Sequence, residues 1–219
     1  MPLPMVHLAI AVQMHRLGGR TLCQDFLLGS IAPDAIHMRP NARYSDKLHV
    51  HLSEKSDHRY DEARRLLTQY NSTDFLSIGF TGGYVAHLLT DFLWRDSVVE
   101  AFYKRVPQNL SPEETRALYY KETDQIDFNL YNQMPWRKDV WSLLAVTQPK
   151  DFTSLLTSAE IKQWRDRVLK WFDEFKQEPM SEPIHITYEE TLDFINQSAE
   201  EITKVFTSWK SHDRVVWSN

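Results

Sequence analysis

A long apolar stretch, from about Phe75 to Phe102, constrains the fold more than any other part of the sequence. Its hydrophobic residues cover all sides of a helix, which predicts a helix buried in the interior. Within it, His87 and Asp91 are four residues apart, so a helix places an imidazole and a carboxylate on one face. A buried carboxylate is costly unless a charged or hydrogen-bonding group meets it, and a metal ion does so most completely. We therefore predict a central helix that carries part of a metal site, the alternative being an internal His–Asp hydrogen-bonded pair.

The composition is typical of one helical domain. The chain has 219 residues, enough to bury a sizeable core, and we expect a single domain over residues 1–219. It has only 6 glycines and few of the alternations that strands require. Glycines 79, 82 and 83 weaken the central helix by about 1 kcal/mol each, which is tolerable where another backbone approaches closely. The predicted fold class is all-α, with several helices around the buried central one.

Charge and cysteine content exclude some classes of function. The formal net charge is -5 and the pI is near 6.0, so the chain offers no basic field for nucleic acid as a bulk partner. Cys23 is the single cysteine, which excludes an internal disulfide and fits a reducing compartment. We find no signal peptide and no transmembrane segment in the sequence. These features predict a cytoplasmic protein.

Start and stop signals define the other helices. Pro4 opens a predicted helix that the Gly18–Gly19 pair ends. Capping boxes begin further helices at Ser111, Thr157 and Thr187. Besides the central helix, which is expected to end near residue 105, the predicted helices cover about 4–17, 21–31, 56–70, a segment from 112, 135–146, 157–176 and 187–210. Residues 39–47 are expected to form a polar loop.

Three more candidate ligand positions lie on the N-terminal side of the central helix. His7 falls among the apolar residues of the first predicted helix. Asp34 follows a proline at a predicted bend, where its side chain is free to point inward. His49 and His51 are two residues apart, so in an extended segment only one of them faces a given site. Taken singly, each is more often structural, as a core histidine or a turn-forming aspartate.

Together with His87 and Asp91, these residues supply imidazole and carboxylate, the ligands that suit zinc, iron or manganese. Five ligands exceed the four of a tetrahedral ion, which favours either two metal ions or one ion of higher coordination number. Asp124 and Asp127 are possible additional metal or polar site residues, although carboxylates on such a helix usually face solvent. Arg95 is a possible contact for a substrate phosphate, the commoner alternative being an exposed helix arginine.

Four motifs in order resemble one family. They are Pro-Met-Val-His7, Gly-Ser-Ile-Ala-Pro-Asp34, His51-Leu and Gly-Tyr-x-x-His87-x-x-x-Asp91. Over the first half of the chain they resemble the zinc-dependent phospholipase C family, all-helical metallohydrolases that share their fold with some secreted single-strand nucleases. The resemblance implies that His7 binds one zinc ion while Asp34, His51, His87 and Asp91 bind another, with Asp91 bridging. Leu52 matches the apolar residue that follows the ligand histidine in the family, which favours His51 over His49.

The chain also departs from the secreted members of that family. They begin with a tryptophan whose amino group binds zinc, whereas this chain starts with Met1. They carry two histidines and a glutamate soon after the position of Asp91, whereas the next histidine here is His185. The acidic helix with Glu122, Asp124 and Asp127 is a possible replacement. The resemblance is therefore to a short, intracellular-type member.

These features predict a metal-dependent hydrolase of a small-molecule or lipid phosphoester, with zinc as the preferred metal. The metal would lower the pKa of water and neutralise charge on the phosphoryl oxygens. Asp34 is the predicted catalytic residue, because in addition to binding metal it could accept a proton from the attacking water. The alternative is a non-catalytic helical protein with a structural or vestigial metal site that acts as an interaction scaffold.

Overall fold

The computed structural model describes residues 2–53, 58–68 and 79–216, and within these ranges the protein is all-helical, as predicted. The α-helices in chain order are α1 (Pro4–Leu17), α2 (Gln24–Gly29), α3 (Tyr44–Val50), α4 (Arg59–Thr68), α5 (Phe80–Trp94), α6 (Glu100–Arg105), α7 (Pro112–Gln133), α8 (Arg137–Val146), α9 (Ser158–Leu169) and α10 (Tyr188–Val216). A 3₁₀ helix covers Ala32–Met38, and π-helical turns cover Arg95–Val99 and Trp171–Phe175. Over the same ranges, no helix is both long and apolar enough to cross a membrane.

The predicted capping boxes begin their helices as expected. At the start of α7, the Ser111 hydroxyl accepts a hydrogen bond from the Glu114 N–H, while the Glu114 carboxylate accepts one from the Ser111 N–H. Thr157 and Glu160 exchange the same pair of bonds before α9. Because these bonds satisfy N–H groups that lack a partner within the helix, the first turns are held by local sequence alone.

Helix α5 is the buried central helix. It contacts α1, α2, α4, α10 and the 3₁₀ helix, and its residues from Thr81 to Phe92 are all buried. It is shorter than predicted, because the chain passes into a π-helical turn at Arg95 before continuing as α6. In that turn the Ser97 hydroxyl donates to the Leu93 carbonyl at 2.6 Å, a local competitor of the regular helix bond. Phe75, where the predicted helix began, lies outside the described residues.

Two glycines allow α2 and α5 to touch backbone to backbone. A Cβ atom added at Gly83 would lie 2.0 Å from the Phe26 carbonyl oxygen, and one added at Gly29 would lie 2.0 Å from the Phe80 carbonyl oxygen. Any side chain at either position would push the helices apart. The contact confirms the close backbone approach expected at Gly83. It also brings the end of α2 within hydrogen-bond distance of His87 on α5, where the Ser30 carbonyl meets the imidazole.

The segment between the 3₁₀ helix and α4 differs from the prediction. Asp34 lies in the 3₁₀ helix and not at an isolated bend. The second half of the predicted loop is helical, because the Asp46 carboxylate accepts the Arg43 N–H at 2.7 Å and opens α3. His49 therefore lies on α3 and His51 caps its C-terminus, so the pair is not extended, although only one of the two, His51, is buried.

Candidate metal centre

Five buried histidine and aspartate side chains meet at one point in the core. His7 comes from α1, Asp34 from the 3₁₀ helix, His51 from the end of α3, and His87 and Asp91 from α5. The most exposed of the five, Asp91, has only 8% of its surface accessible. The structure thus brings together all five residues that the sequence indicates as metal ligands.

The Asp91 carboxylate lies between the three imidazoles. Its Oδ1 atom is 3.6 Å from His7 Nε2, and its Oδ2 atom is 3.6 Å from His87 Nε2 and 3.7 Å from His51 Nε2. Asp34 Oδ1 adds a second carboxylate oxygen, 3.5 Å from His51 Nε2. These separations are long for a hydrogen bond of good geometry. They are close to the ~3.4 Å between neighbouring ligands of a tetrahedral ion with bonds of about 2.1 Å.

The atoms that face one another have no hydrogen-bond partner in the described part of the chain. They are both ring nitrogens of His7, Asp34 Oδ1, His51 Nε2, His87 Nε2 and Asp91 Oδ1. Buried polar atoms without a partner are rare in folded proteins, and several converging on one point call for a common explanation. A divalent cation provides one, because the carboxylate oxygens and one ring nitrogen of each neutral imidazole can donate a lone pair to it. The donor set therefore fits a metal ion.

Hydrogen bonds from the opposite side of two imidazoles orient them toward this point. His51 Nδ1 lies 3.0 Å from the Lys47 carbonyl oxygen, and His87 Nδ1 lies 2.8 Å from the Ser30 carbonyl oxygen. A carbonyl only accepts, so each Nδ1 carries the proton and each Nε2 is left with a lone pair. This is the arrangement in which metal-binding histidines are usually held.

Burial shifts the charge state of the group toward neutral histidines. It lowers the pKa of His7 and of His87, and it raises the pKa of Asp91. Burial also raises the pKa of Asp34, but the neighbouring imidazoles of His51 and His87 outweigh it, so that the Asp34 pKa lies well below its usual range. Neutral imidazole and ionised carboxylate are the forms that bind a metal, so the pKa shifts of His7, His87 and Asp34 favour binding, whereas that of Asp91 opposes it.

The five residues form two overlapping groups. His7, Asp34 and His87 make one, and His51, His87 and Asp91 make the other, each with ligand atoms within 4.8 Å of one another. Asp91 points one oxygen toward His7 and the other toward His51 and His87. A carboxylate with this orientation can bridge two ions or complete the shell of one.

A cavity of about 730 Å³ reaches the edge of the centre at Asp34. His37, Lys47, Arg116 and Arg167 also line it, together with aromatic side chains that include Trp164 and Trp171. Its volume is in the range of small-molecule binding sites. The cavity gives a molecule from solvent access to the one carboxylate of the centre that lies on its wall.

The remaining predicted site residues lie elsewhere. The sequence left open whether His49 or His51 lies in the centre. His49 is exposed, whereas His51 is buried with the other candidate ligands. Lys176 Nζ donates to Asp124 at 2.6 Å, and the Met5 N–H donates to Asp127 Oδ1 at 3.0 Å. Arg95 is half exposed and pairs with Asp96. None of these residues belongs to the two ligand groups found in the described ranges.

Glu122 and His185 form a separate buried pair. The Glu122 carboxylate accepts the backbone N–H groups of Ile184, His185 and Ile186 at 2.9 to 3.3 Å. His185 Nδ1 donates to it as well, at 2.7 Å. With four donors, this carboxylate is satisfied by the fold, and it ties the segment before α10 to α7.

Sequence reasoning missed His37 and the cations of the cavity. His37 follows Asp34 by three residues, and its Nε2 lies 3.8 Å from Asp34 Oδ1. Burial lowers the pKa of His37, the nearby carboxylate of Asp34 raises it, and Lys47 lowers it again, with a net lowering. The i, i+3 spacing was visible in the sequence, but it becomes informative only in a helical turn. Arg116 and Arg167 carry no local signal, because the tertiary fold alone places them on the cavity.

Comparison of the chain with models of protein families, with curated proteins and with solved structures gave no match. The candidate centre is therefore supported by the chain's own geometry alone.

Proposed function

We propose that this protein is a metal-dependent hydrolase of phosphoesters, related in its site to the zinc-dependent phospholipase C family. One observation carries the proposal: unpartnered ligand atoms of five buried side chains converge beside a cavity with cationic walls. Three imidazoles and two carboxylates favour zinc, and iron or manganese accept the same ligands. The substrate would be a small-molecule or lipid phosphoester.

The metal would be held by His7, Asp34, His51, His87 and Asp91, and it would supply a Lewis acid and a lowered pKa for water. Asp34 lies both in the centre and on the cavity wall, so its carboxylate can orient an attacking water by accepting a hydrogen bond from it. Lys47 on the same wall offsets the negative charge of a phosphoryl group as it enters. The buried surroundings of Asp91 strengthen each of these electrostatic interactions.

The test is hydrolysis of 4-nitrophenyl phosphate and bis(4-nitrophenyl) phosphate by protein purified without chelators, with added zinc, manganese or iron. We expect release of nitrophenol from at least one ester, and a rate at least about 1,000-fold lower for Asp91→Asn, because the variant loses a ligand oriented toward three imidazoles. Asp124→Asn is the matched control, since its carboxylate pairs with Lys176 outside the centre. Equal rates for the wild type and Asp91→Asn would refute the proposal.

The second candidate is a structural metal in a protein without catalytic activity. Its support is the depth of the centre, since none of the five residues is more than 8% exposed and closed sites are typical of structural metals. A large fall in melting temperature on chelation, without hydrolysis under any of the three metals, would favour this candidate.

A further inference from the structure

Three cationic side chains from three helices face the cavity beside the metal centre. Lys47 comes from α3, Arg116 from α7 and Arg167 from α9. Asp34 is the one carboxylate among the described residues that line the cavity. The whole chain has a formal net charge of -5, so the composition does not account for this concentration of positive charge.

None of the three cations has a carboxylate partner within the described ranges. Lys47 Nζ lies 3.5 Å from His37 Nε2. Arg116 lies over the ring of Tyr120 at 5.7 Å, and Arg167 lies over the ring of Trp171 at 5.3 Å. Other cations of the protein are paired, with short contacts from Arg39 to Glu160, from Arg105 to Glu190 and from Lys176 to Asp124.

The positions of the cations separate them into two sets. Lys47 is next to His37, which in turn lies 3.8 Å from Asp34, so Lys47 belongs to the side of the metal centre. The two arginines rest on aromatic faces instead. An arginine stacked on a ring keeps its N–H edges available, and those edges match the two oxygens of a carboxylate or phosphate.

One phosphoryl group does not need all of this charge. Asp34 and Asp91 balance the charge of one divalent ion, which leaves three cavity cations against the one or two negative charges of a phosphoester. Building on the proposed function, we propose that the substrate carries a second anionic group, a carboxylate or a further phosphate, that Arg116 and Arg167 bind. The cavity would then select phosphoesters with a separate negative charge over those with an uncharged remainder.

The experiment is calorimetric titration of the zinc-loaded full chain with two non-hydrolysable probes, phenylphosphonate and 4-carboxyphenylphosphonate. The probes share the phosphonate and the ring and differ only in the second anionic group. We expect the wild type to bind the carboxylated probe about tenfold more tightly, the gain typical of a charge-assisted contact near a surface. Arg116→Gln and Arg167→Gln should each reduce this preference, with the affinity for phenylphosphonate kept. Lys47→Gln should lower the affinity for both probes by the same factor.

Arg137→Gln is the matched control. Arg137 also stacks on a tyrosine, Tyr131 at 4.3 Å, but it does not line the cavity. This variant should keep the full preference. The inference is wrong if the wild type binds both probes equally, or if the preference survives in both Arg116→Gln and Arg167→Gln. Preference without any hydrolysis would refute the proposed function alone, and hydrolysis without preference would refute the anion site alone.

Discussion

Two buried carboxylates that face imidazoles, Glu122 and Asp91, differ in the hydrogen bonds that they accept. Glu122 accepts four hydrogen bonds from the segment before α10, including one from His185. Asp91 faces three imidazoles, yet each is 3.6 to 3.7 Å away and its Oδ1 has no hydrogen-bond partner in the described ranges. Both carboxylates are buried, so the difference is not exposure. The fold satisfies the first, whereas the second is left without a hydrogen bond at Oδ1 by the residues that the structure describes.

Asp127 lies between these extremes. Its Oδ1 accepts the Met5 N–H, while its Oδ2 is buried without a partner in the described part of the chain. The three carboxylates therefore form a series from fully bonded to unbonded. We therefore expect substitutions at or beside these three carboxylates to have different effects on metal content and on stability.

The largest expected effect is on metal content. His87→Ala removes the imidazole shared by both ligand groups, so we expect it to lose the bound metal, with at least about a 100-fold loss of affinity. His185→Ala, which removes an imidazole bonded to Glu122, should keep the metal. Elemental analysis of both proteins, purified without a metal-affinity tag, measures the difference. Equal metal content in the wild type and His87→Ala would mean that His87 is a core residue.

The next effect is on stability. Glu122→Gln replaces one acceptor oxygen with an N–H donor that faces the backbone donors of Ile184 to Ile186. We expect the free energy of unfolding to fall by about 3 kcal/mol, the cost of unsatisfied buried donors, with metal content unchanged. Urea unfolding checks it against Glu113→Gln on the exposed first turn of the same helix, where a change below about 0.5 kcal/mol is expected. A loss of metal in Glu122→Gln would contradict the conclusion that Glu122 lies outside the metal centre.

Local signals explain what the sequence could predict. The capping boxes and the apolar periodicity act within a few residues, so α7, α9 and the buried α5 could be placed in advance. His87 and Asp91 were accessible for the same reason, since a helix fixes their spacing. His7, Asp34 and one of His49 and His51 were grouped with them by ligand chemistry, and the motif order of the resembling family favoured His51.

Features that depend on distant contacts could not be predicted. One feature was missed although its contact is local: α3, which separates His49 from His51, begins with a hydrogen bond between Arg43 and Asp46 inside the segment expected to be a polar loop. The cationic wall depends on the positions of α3, α7 and α9. Asp124 and Asp127 have the helical spacing of a site, yet tertiary partners, Lys176 and the start of α1, determine their surroundings.

The smallest effect concerns Asp127 and depends on pH. Burial raises the pKa of this carboxyl well above its usual value, the Met5 N–H lowers it, and Asp124 raises it further. The folded state therefore holds the proton more tightly than the unfolded state, whose carboxyl has a pKa of about 3.9. Between that value and the higher folded pKa, the folded state binds more protons, so stability falls as the pH rises.

Asp127→Asn removes this titration and keeps an oxygen for the Met5 N–H. We expect the variant to be as stable as the wild type near pH 4 and more stable by about 1 kcal/mol near pH 7. Thermal unfolding between pH 4 and pH 8 measures the difference, with Glu113→Gln on the exposed first turn of α7 as the control. Loss of metal or of stability in Asp127→Asn at pH 7 would instead mean that the charged carboxylate is needed. Asp127 would then join Asp91 as part of the metal centre, as its position on the acidic helix first suggested.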